Sequence, residues 1–351
     1  MPTPMSSTIG SAGLATGLVV MWSSGFIGAE LGTRDATADT LLMWRFIAAA
    51  ALLGGGWLLL RRRRLPVRAV VEQSVIGILS QGCYVGPIVW AVGLGVPSGT
   101  SALIAALQPL AAGALAGPLL GERVGRRQWV GLGVGLAGVA LVVRDDLSGA
   151  TAPAWAYVLP FTGMVALLAA SFLERRVTVP LATADALPVH CMTSALLFTA
   201  VAGAAGHAAA PTAGSFWVAV GWVVVLSTVG GYGFYWLSLR RNGVTRTSAL
   251  IYLTPPTTAV WAYAMFGDGL GATALVGMVI CVAGVAAATL GTSAPAGHGT
   301  EAIPRTPEPT PTTAATTSPT PTPTSPPTSA TPATPATRGR RTTNARCAAG
   351  S

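Results

Sequence analysis

Ala36-Thr-Ala-Asp39 recurs 146 residues later as Ala182-Thr-Ala-Asp185, and the same displacement carries Ala137-Gly-Val-Ala140 onto Ala283-Gly-Val-Ala286. Between them, Thr100-Ser-Ala-Leu-Ile104 recurs as Thr247-Ser-Ala-Leu-Ile251, one residue out of step. Pro109 then has Pro255 or Pro256 as its partner, and Glu122 has Asp268. A single short match in an alanine-rich chain arises by chance. A displacement shared across a whole half does not, so the chain reads as a tandem duplication.

Both copies are apolar almost throughout. Of 351 residues, 51% are hydrophobic and 9% charged, whereas soluble domains carry about 25% charged residues. The mean hydropathy is +0.59, and the apolar residues come in long runs, as in a polytopic membrane protein. A net charge of +9 does not denote a nucleic-acid partner, because the 21 basic residues, all arginine, lie mostly between apolar runs. Cys83, Cys191, Cys281 and Cys347 are scattered and give neither a disulfide framework nor metal-ligand spacing.

At roughly 20 residues per crossing, ten spans precede residue 292: 12–31, 40–60, 74–94, 98–119, 129–143, 155–173, 186–206, 217–239, 248–266 and 272–290. With the N-terminus in the cytoplasm, the inner loops hold Arg61–Arg64 and Arg68, then Arg123, Arg126 and Arg127, then Arg175 and Arg176, then Arg240, Arg241 and Arg246. The outer loops hold only Arg34 and Arg144. Cationic loops remain inside, so both termini are expected in the cytoplasm, which an even number of spans satisfies. The expected organisation is a short N-terminal segment 1–11, a five-helix repeat 12–146, a second repeat 147–291 and a tail 292–351. Twelve of the 26 prolines lie in that tail among Thr, Ser and Ala, so it is expected to be disordered.

Five spans per copy is an odd number, so the second copy enters the membrane inverted. The charges agree: Val96-Pro-Ser98 is uncharged, while its counterpart Arg240-Arg-Asn-Gly-Val-Thr-Arg246 is basic. Gly121-Glu-Arg-Val-Gly-Arg-Arg127 is basic, and its counterpart Gly267-Asp-Gly-Leu-Gly271 has no arginine. Inverted repeats have two related conformations, open to opposite sides, as alternating access requires. The expected fold is an all-α integral membrane protein of ten transmembrane helices in two inverted five-helix repeats, seated in the inner (plasma) membrane.

Trp22-Ser-Ser-Gly-Phe26, Trp44-Arg-Phe46, Ser101-Ala-Leu…Gln108-Pro-Leu110…Leu120-Gly-Glu122 and Gly131…Ala137-Gly-Val139 resemble the EamA-type drug/metabolite transporter superfamily over about residues 12–290. The resemblance implies ten helices, a central cavity drawn from both repeats, and mostly efflux of amino acids, metabolites or drugs. The second half departs from the first, with His190 and Cys191 at the positions of Trp44 and Arg45, and Leu168 at that of Trp22.

Polar and aromatic side chains inside apolar spans face the bundle rather than lipid. The candidates for a substrate cavity are Trp22, Ser24, Arg45, Gln81, Tyr84, Gln108, Tyr232, Tyr235, Trp236 and Tyr252. Helix–helix hydrogen bonding is the alternative for each of them, above all for Ser and Thr. Arg45 sits six residues past Asp39, about 9 Å deep at 1.5 Å per residue. It either anchors at the outer surface or beside Glu30, or serves as a gate or as a cation facing a substrate carboxylate.

None of the twelve acidic residues falls at the middle of a span, so no buried carboxylate relay for proton antiport is offered. His190 is expected to be a packed polar residue. The histidines (His190, His207 and His298) are too few and too scattered for a catalytic or metal site, so neither enzyme activity, cofactor nor metal is expected. The reading is a carrier for a small organic molecule, partnered by the lipid bilayer. A passive channel and a membrane-embedded enzyme are the alternatives, and counterflow separates carrier from channel.

Overall fold

The computed structural model describes residues 4–60, 65–108, 110–112, 115, 126–149, 152–174, 176–267, 269 and 271–290. Pro109, Glu122, Asp268 and the Pro/Thr-rich tail lie outside the described residues. Regular structure among the described residues is helical: α1 (Pro4–Thr33), α2 (Ala38–Leu60), α3 (Val67–Gly93), α4 (Ser98–Ala105), α5 (Arg126–Gly149), α6 (Ala154–Glu174), α7 (Thr183–Ala204), α8 (Gly214–Trp222), α9 (Tyr232–Ile251), α10 (Thr254–Phe266) and α11 (Ala272–Leu290). Hydrocarbon offers the backbone no partner, so long runs of Ala, Leu, Val and Gly satisfy their own N–H and C=O groups as helices. Pro66, Pro97 and Pro153 stand immediately before α3, α4 and α6, where a missing N–H costs nothing. Gly267, at φ 75°, closes α10 in the left-handed conformation.

Among the described residues, six helices are long and apolar enough to cross a bilayer: Ala12–Thr33, Ala38–Leu60, Val67–Gly93, Ala154–Glu174, Thr183–Ala204 and Gly214–Tyr235. Leu58, Leu60, Leu196 and Val218 are exposed on their outward faces, surface that suits lipid rather than water. The chain is an integral membrane protein.

The helices depart from the expected spans in three informative ways. Two stretches are π-helical, Ile78–Gly82 inside α3 and Val223–Gly231 between α8 and α9. Spans 98–119 and 248–266 are not continuous. The first turns at Ala106–Leu107 and the second at Tyr252–Leu253, 146 residues on. Each turn is closed by the same tight bond, Leu107 N–H to Ile104 O at 3.1 Å and Leu253 N–H to Leu250 O at 3.0 Å. Third, the basic stretch expected as a loop around Arg240–Arg246 has helical backbone. The Ser238 and Thr247 hydroxyls nevertheless meet at 2.9 Å, although nine residues of straight helix would separate them by about 13 Å. The chain therefore bends back sharply there, doing with helical backbone what a loop was expected to do.

In the packing, α2 lies along α7, with Phe46 stacked on Phe198 at 5.5 Å. Helix α5 lies along α11, and α4 against α10. Helix α1 packs on the second π-helical stretch and α9, and α3 packs on α6. Helix α1 also meets α10, as α4 meets α6, and α2 meets α8, as α3 meets α7. One core joins Leu41, Leu42, Phe46, Val89, Phe198 and Phe216; a second joins Leu103, Leu107, Val139, Met164 and Cys281.

Candidate functional site

The first π-helical stretch carries Gln81, and the second carries Ser227 and Thr228. The inserted residue of a π turn rotates the following side chains off the regular helical face, and such turns recur at functional sites. Here they border one cavity. Trp22, Gly25 and Phe26 of α1 line it with Arg45 of α2, and Gln81, Tyr84, Val85, Ile88 and Val89 of α3 form a second wall. Ser227, Thr228 and Tyr232 close it from the second half of the chain. None of these lining residues is acidic.

The polar groups are held in place from both halves. The Gln81 amide donates to the Tyr232 hydroxyl, and Thr228 donates to the Val223 carbonyl at 3.1 Å across the π turn. The Trp22 ring lies 5.9 Å from that of Tyr232 and 5.5 Å from that of Tyr235, centroid to centroid. Arg45 is 5% exposed, and its guanidinium lies 5.1 Å over the Phe46 ring. Glu30 pairs with Arg34 at 3.1 Å, which removes the expected Glu30–Arg45 contact, and the burial of Arg45 excludes an anchor at the surface.

Five of the residues singled out in the sequence therefore meet at the cavity (Trp22, Arg45, Gln81, Tyr84 and Tyr232), with Tyr235 behind Trp22. Three lie elsewhere. Ser24 is fully buried and donates to Met21 O at 2.6 Å; two residues from Trp22, it points about 200° around the helix. Gln108 donates to Ser171 of α6 at 3.3 Å, because the turn at Ala106–Leu107 breaks the register that would have aligned it with Ser101. Tyr252 sits in the matching turn, packed into the second core. The side chain of Trp236 lies outside the described residues. Ser227 was not anticipated; at 146 residues from Gln81 it holds the same place in the duplication, which was signal enough to find it.

A second polar cluster lies where α3 meets α7. His190 Nε2 donates to Gln73 Oε1 at 2.7 Å, and the Gln73 amide reaches the Glu174 carboxylate at 3.3 Å. His190 is thus a packed polar residue with a carboxylate one side chain away, which spacing alone did not indicate. Among the described residues, no three His, Cys, Asp or Glu side chains gather as a metal site would need.

A helical membrane bundle with an aromatic and hydroxyl-lined cavity that holds one buried arginine has the make-up of a small-molecule transporter. The pattern of the EamA-like transporter family matches the chain twice, over residues 11–144 and 154–290. The chain belongs to that family and is a membrane transporter. It is 25% identical over 276 residues to the uncharacterized inner membrane transporter YedA of Escherichia coli K12, covering 78% of this chain and 89% of that one. It is 28% identical over 277 residues to a probable terminal-alkyne amino-acid exporter of Streptantibioticus cattleyicolor, covering 76% and 89%. A solved crystal structure superposes with a TM-score of 0.56 at 22% identity, over 82% of this chain and 98% of its own; at that identity the likeness is one of fold.

Proposed function

We propose that this chain is a ten-helix carrier of two inverted five-helix repeats, 12–146 and 147–291, with both termini cytoplasmic. It exports a small, amino-acid-like metabolite or a drug by alternating access, and it is not an enzyme. The observation that carries the proposal is a cavity walled by residues of both halves, 22–89 and 227–232, and bordered by π turns of both halves. The packing supports the repeat: α2 on α7 and α5 on α11 each pair a helix with its own counterpart 146 residues on, and α1 against the second π stretch corresponds to α6 against α3. The paired turns at Ala106–Leu107 and Tyr252–Leu253 are interruptions at corresponding positions of two halves, the feature that accompanies midplane binding in repeat transporters. The similarity to an amino-acid exporter supports the substrate class.

The test is counterflow in proteoliposomes. Vesicles preloaded with one apolar amino acid should accumulate its labelled form against the gradient, which a passive channel cannot do. Leakage without accumulation would replace the carrier with a channel. Within this scheme Tyr232→Phe removes the hydroxyl that receives the Gln81 amide, leaving a buried donor unpaired at a cost of about 1–3 kcal/mol. Counterflow is expected to fall about tenfold, with Cys83→Ser, at an exposed position, as the unaffected control. Unchanged transport in Tyr232→Phe would remove this wall from the pathway.

A further inference from the structure

Among the described residues, Arg45 is a buried cation to which no group offers a hydrogen bond or an ion pair. Its surroundings are the Phe46 ring, Cys191 and Tyr232. The carboxylates Glu30 of α1, Asp39 of α2, Glu174 of α6 and Asp185 of α7 have other partners: Arg34, then His207 and Trp90, then Gln73, then Trp57. A guanidinium carries five donors in a planar fork and cannot shed its proton in a protein. Burying it unpaired at membrane depth is costly, and such residues face a functional cavity. Arg45 lines the cavity together with the Gln81–Tyr232 pair, and the duplication does not repeat it, since Cys191 occupies its counterpart.

We infer that the cavity takes a small monocarboxylate and that Arg45 binds its carboxylate, as a two-pronged pair. The inference rests on the transporter reading above and names its substrate class. The aromatic wall of Trp22, Tyr232 and Tyr235 then receives the apolar part of the substrate. An α-ammonium group has aromatic faces and the Ser227 and Thr228 hydroxyls to meet, and no carboxylate among the lining residues. The carboxylate is therefore the required group and the ammonium an accessory. A polycation is excluded by the like charge of Arg45.

The experiment uses the full chain in proteoliposomes and three probes of one size: L-leucine, 4-methylpentanoate, which lacks the ammonium, and L-leucinamide, which lacks the carboxylate. Wild-type protein should exchange the first two and not the amide. Arg45→Gln should raise KM for both acids about 30-fold or more, as expected for losing hydrogen bonds to a charged group, while Arg45→Lys recovers part of the affinity. A second readout is independent of turnover: 4-methylpentanoate should raise the Tm of detergent-solubilised wild-type protein and leave that of Arg45→Gln unmoved. Acid transport with an unchanged KM in a folded Arg45→Gln protein, or amide carried as well as acid, overturns the assignment. If the amide is exchanged and the acids are not, the carrier reading survives and the carboxylate site does not. If none of the three moves and none shifts the Tm, this substrate class is wrong, and counterflow of an uncharged or cationic drug then decides whether the carrier reading stands by itself.

Discussion

Gly138→Leu is expected to remove most of the protein from the membrane. Helices α5 and α11 cross so closely that a Cβ on Gly138 would lie 2.5 Å from the Gly277 carbonyl oxygen and 2.6 Å from the Cys281 nitrogen. The contact is mutual: a Cβ on Gly277 would lie 2.7 Å from the Gly138 oxygen, and one on Gly284 would lie 3.0 Å from the Gly131 oxygen. In lipid, no hydrophobic effect draws one helix to another; close backbone packing through small residues does. The obstructing atoms are backbone, so no rotamer change relieves them and the helices must separate. Overpacking typically costs about 1–3 kcal/mol, and a branched four-carbon side chain at this crossing belongs at the upper end. Measured in detergent, the Tm should drop by about 5–10 °C, with membrane abundance falling severalfold. Gly138→Ala should show the same change in smaller measure. Gly133 lies on the same helix with nothing within 4 Å of its Cβ position, so Gly133→Leu should be neutral. Equal abundance and Tm for Gly138→Leu and Gly133→Leu would mean that α5 and α11 do not cross at these glycines.

That crossing was half legible in the sequence. Ala137-Gly-Val and Ala283-Gly-Val mark equivalent positions, but equivalence under a duplication does not say that the two copies touch. Membrane character was readable because it is a property of long averages: the runs survive any error in a boundary. The cavity residues on α1, α2 and α3 were readable for a related reason, since large polar or aromatic side chains are costly against lipid. The candidates that lie away from this cavity share one cause. Ser24 was grouped with Trp22 without regard to its direction around the helix, and Gln108 and Tyr252 were placed by assuming that spans 98–119 and 248–266 run unbroken. The turns at Ala106–Leu107 and Tyr252–Leu253 reset the helical phase. Pro109 and Pro255–Pro256 announced a break but not how far before the proline it falls. The π turns leave no compositional mark, since one inserted residue is invisible in an apolar run. Arg45 was the instructive case: its depth was readable, while its lack of a partner required knowing where Glu30 and Asp39 spend their own charges.

The duplicated Ala-Thr-Ala-Asp motif leads to a prediction about motion. Asp39, at the start of α2, accepts from Trp90 Nε1 of α3 and binds His207 Nδ1, beyond α7, at 2.9 Å. Thr40 adds a bond to the His207 carbonyl at 2.8 Å. Asp185, at the start of α7, accepts from Trp57 Nε1 near the other end of α2 at 2.9 Å. Each copy of the motif thus ties the first half of the chain to the second. The two ties lie at opposite ends of the α2–α7 pair, the first on the side assigned as outer. A carrier that opens alternately must release one tie while keeping the other. A hydrogen bond to a charged group contributes about 1.5–3 kcal/mol; His207 is 41% exposed, so the outer tie is worth less than two such bonds, on the order of 1–2 kcal/mol. Removing it should shift the balance of open states about tenfold. Cys191 is fully buried beside Arg45 and serves as the reporter in a Cys83→Ser, Cys281→Ser, Cys347→Ser background. Asp39→Ala should speed its modification by a membrane-impermeant maleimide added from outside about tenfold. Asp185→Ala should slow it, because loosening the inner tie favours the inward-open state. The opposite signs are the substance of the prediction, since a general loosening of the fold would speed labelling in both variants. If both variants change labelling in the same direction, the two aspartates are packing residues and the gates lie elsewhere.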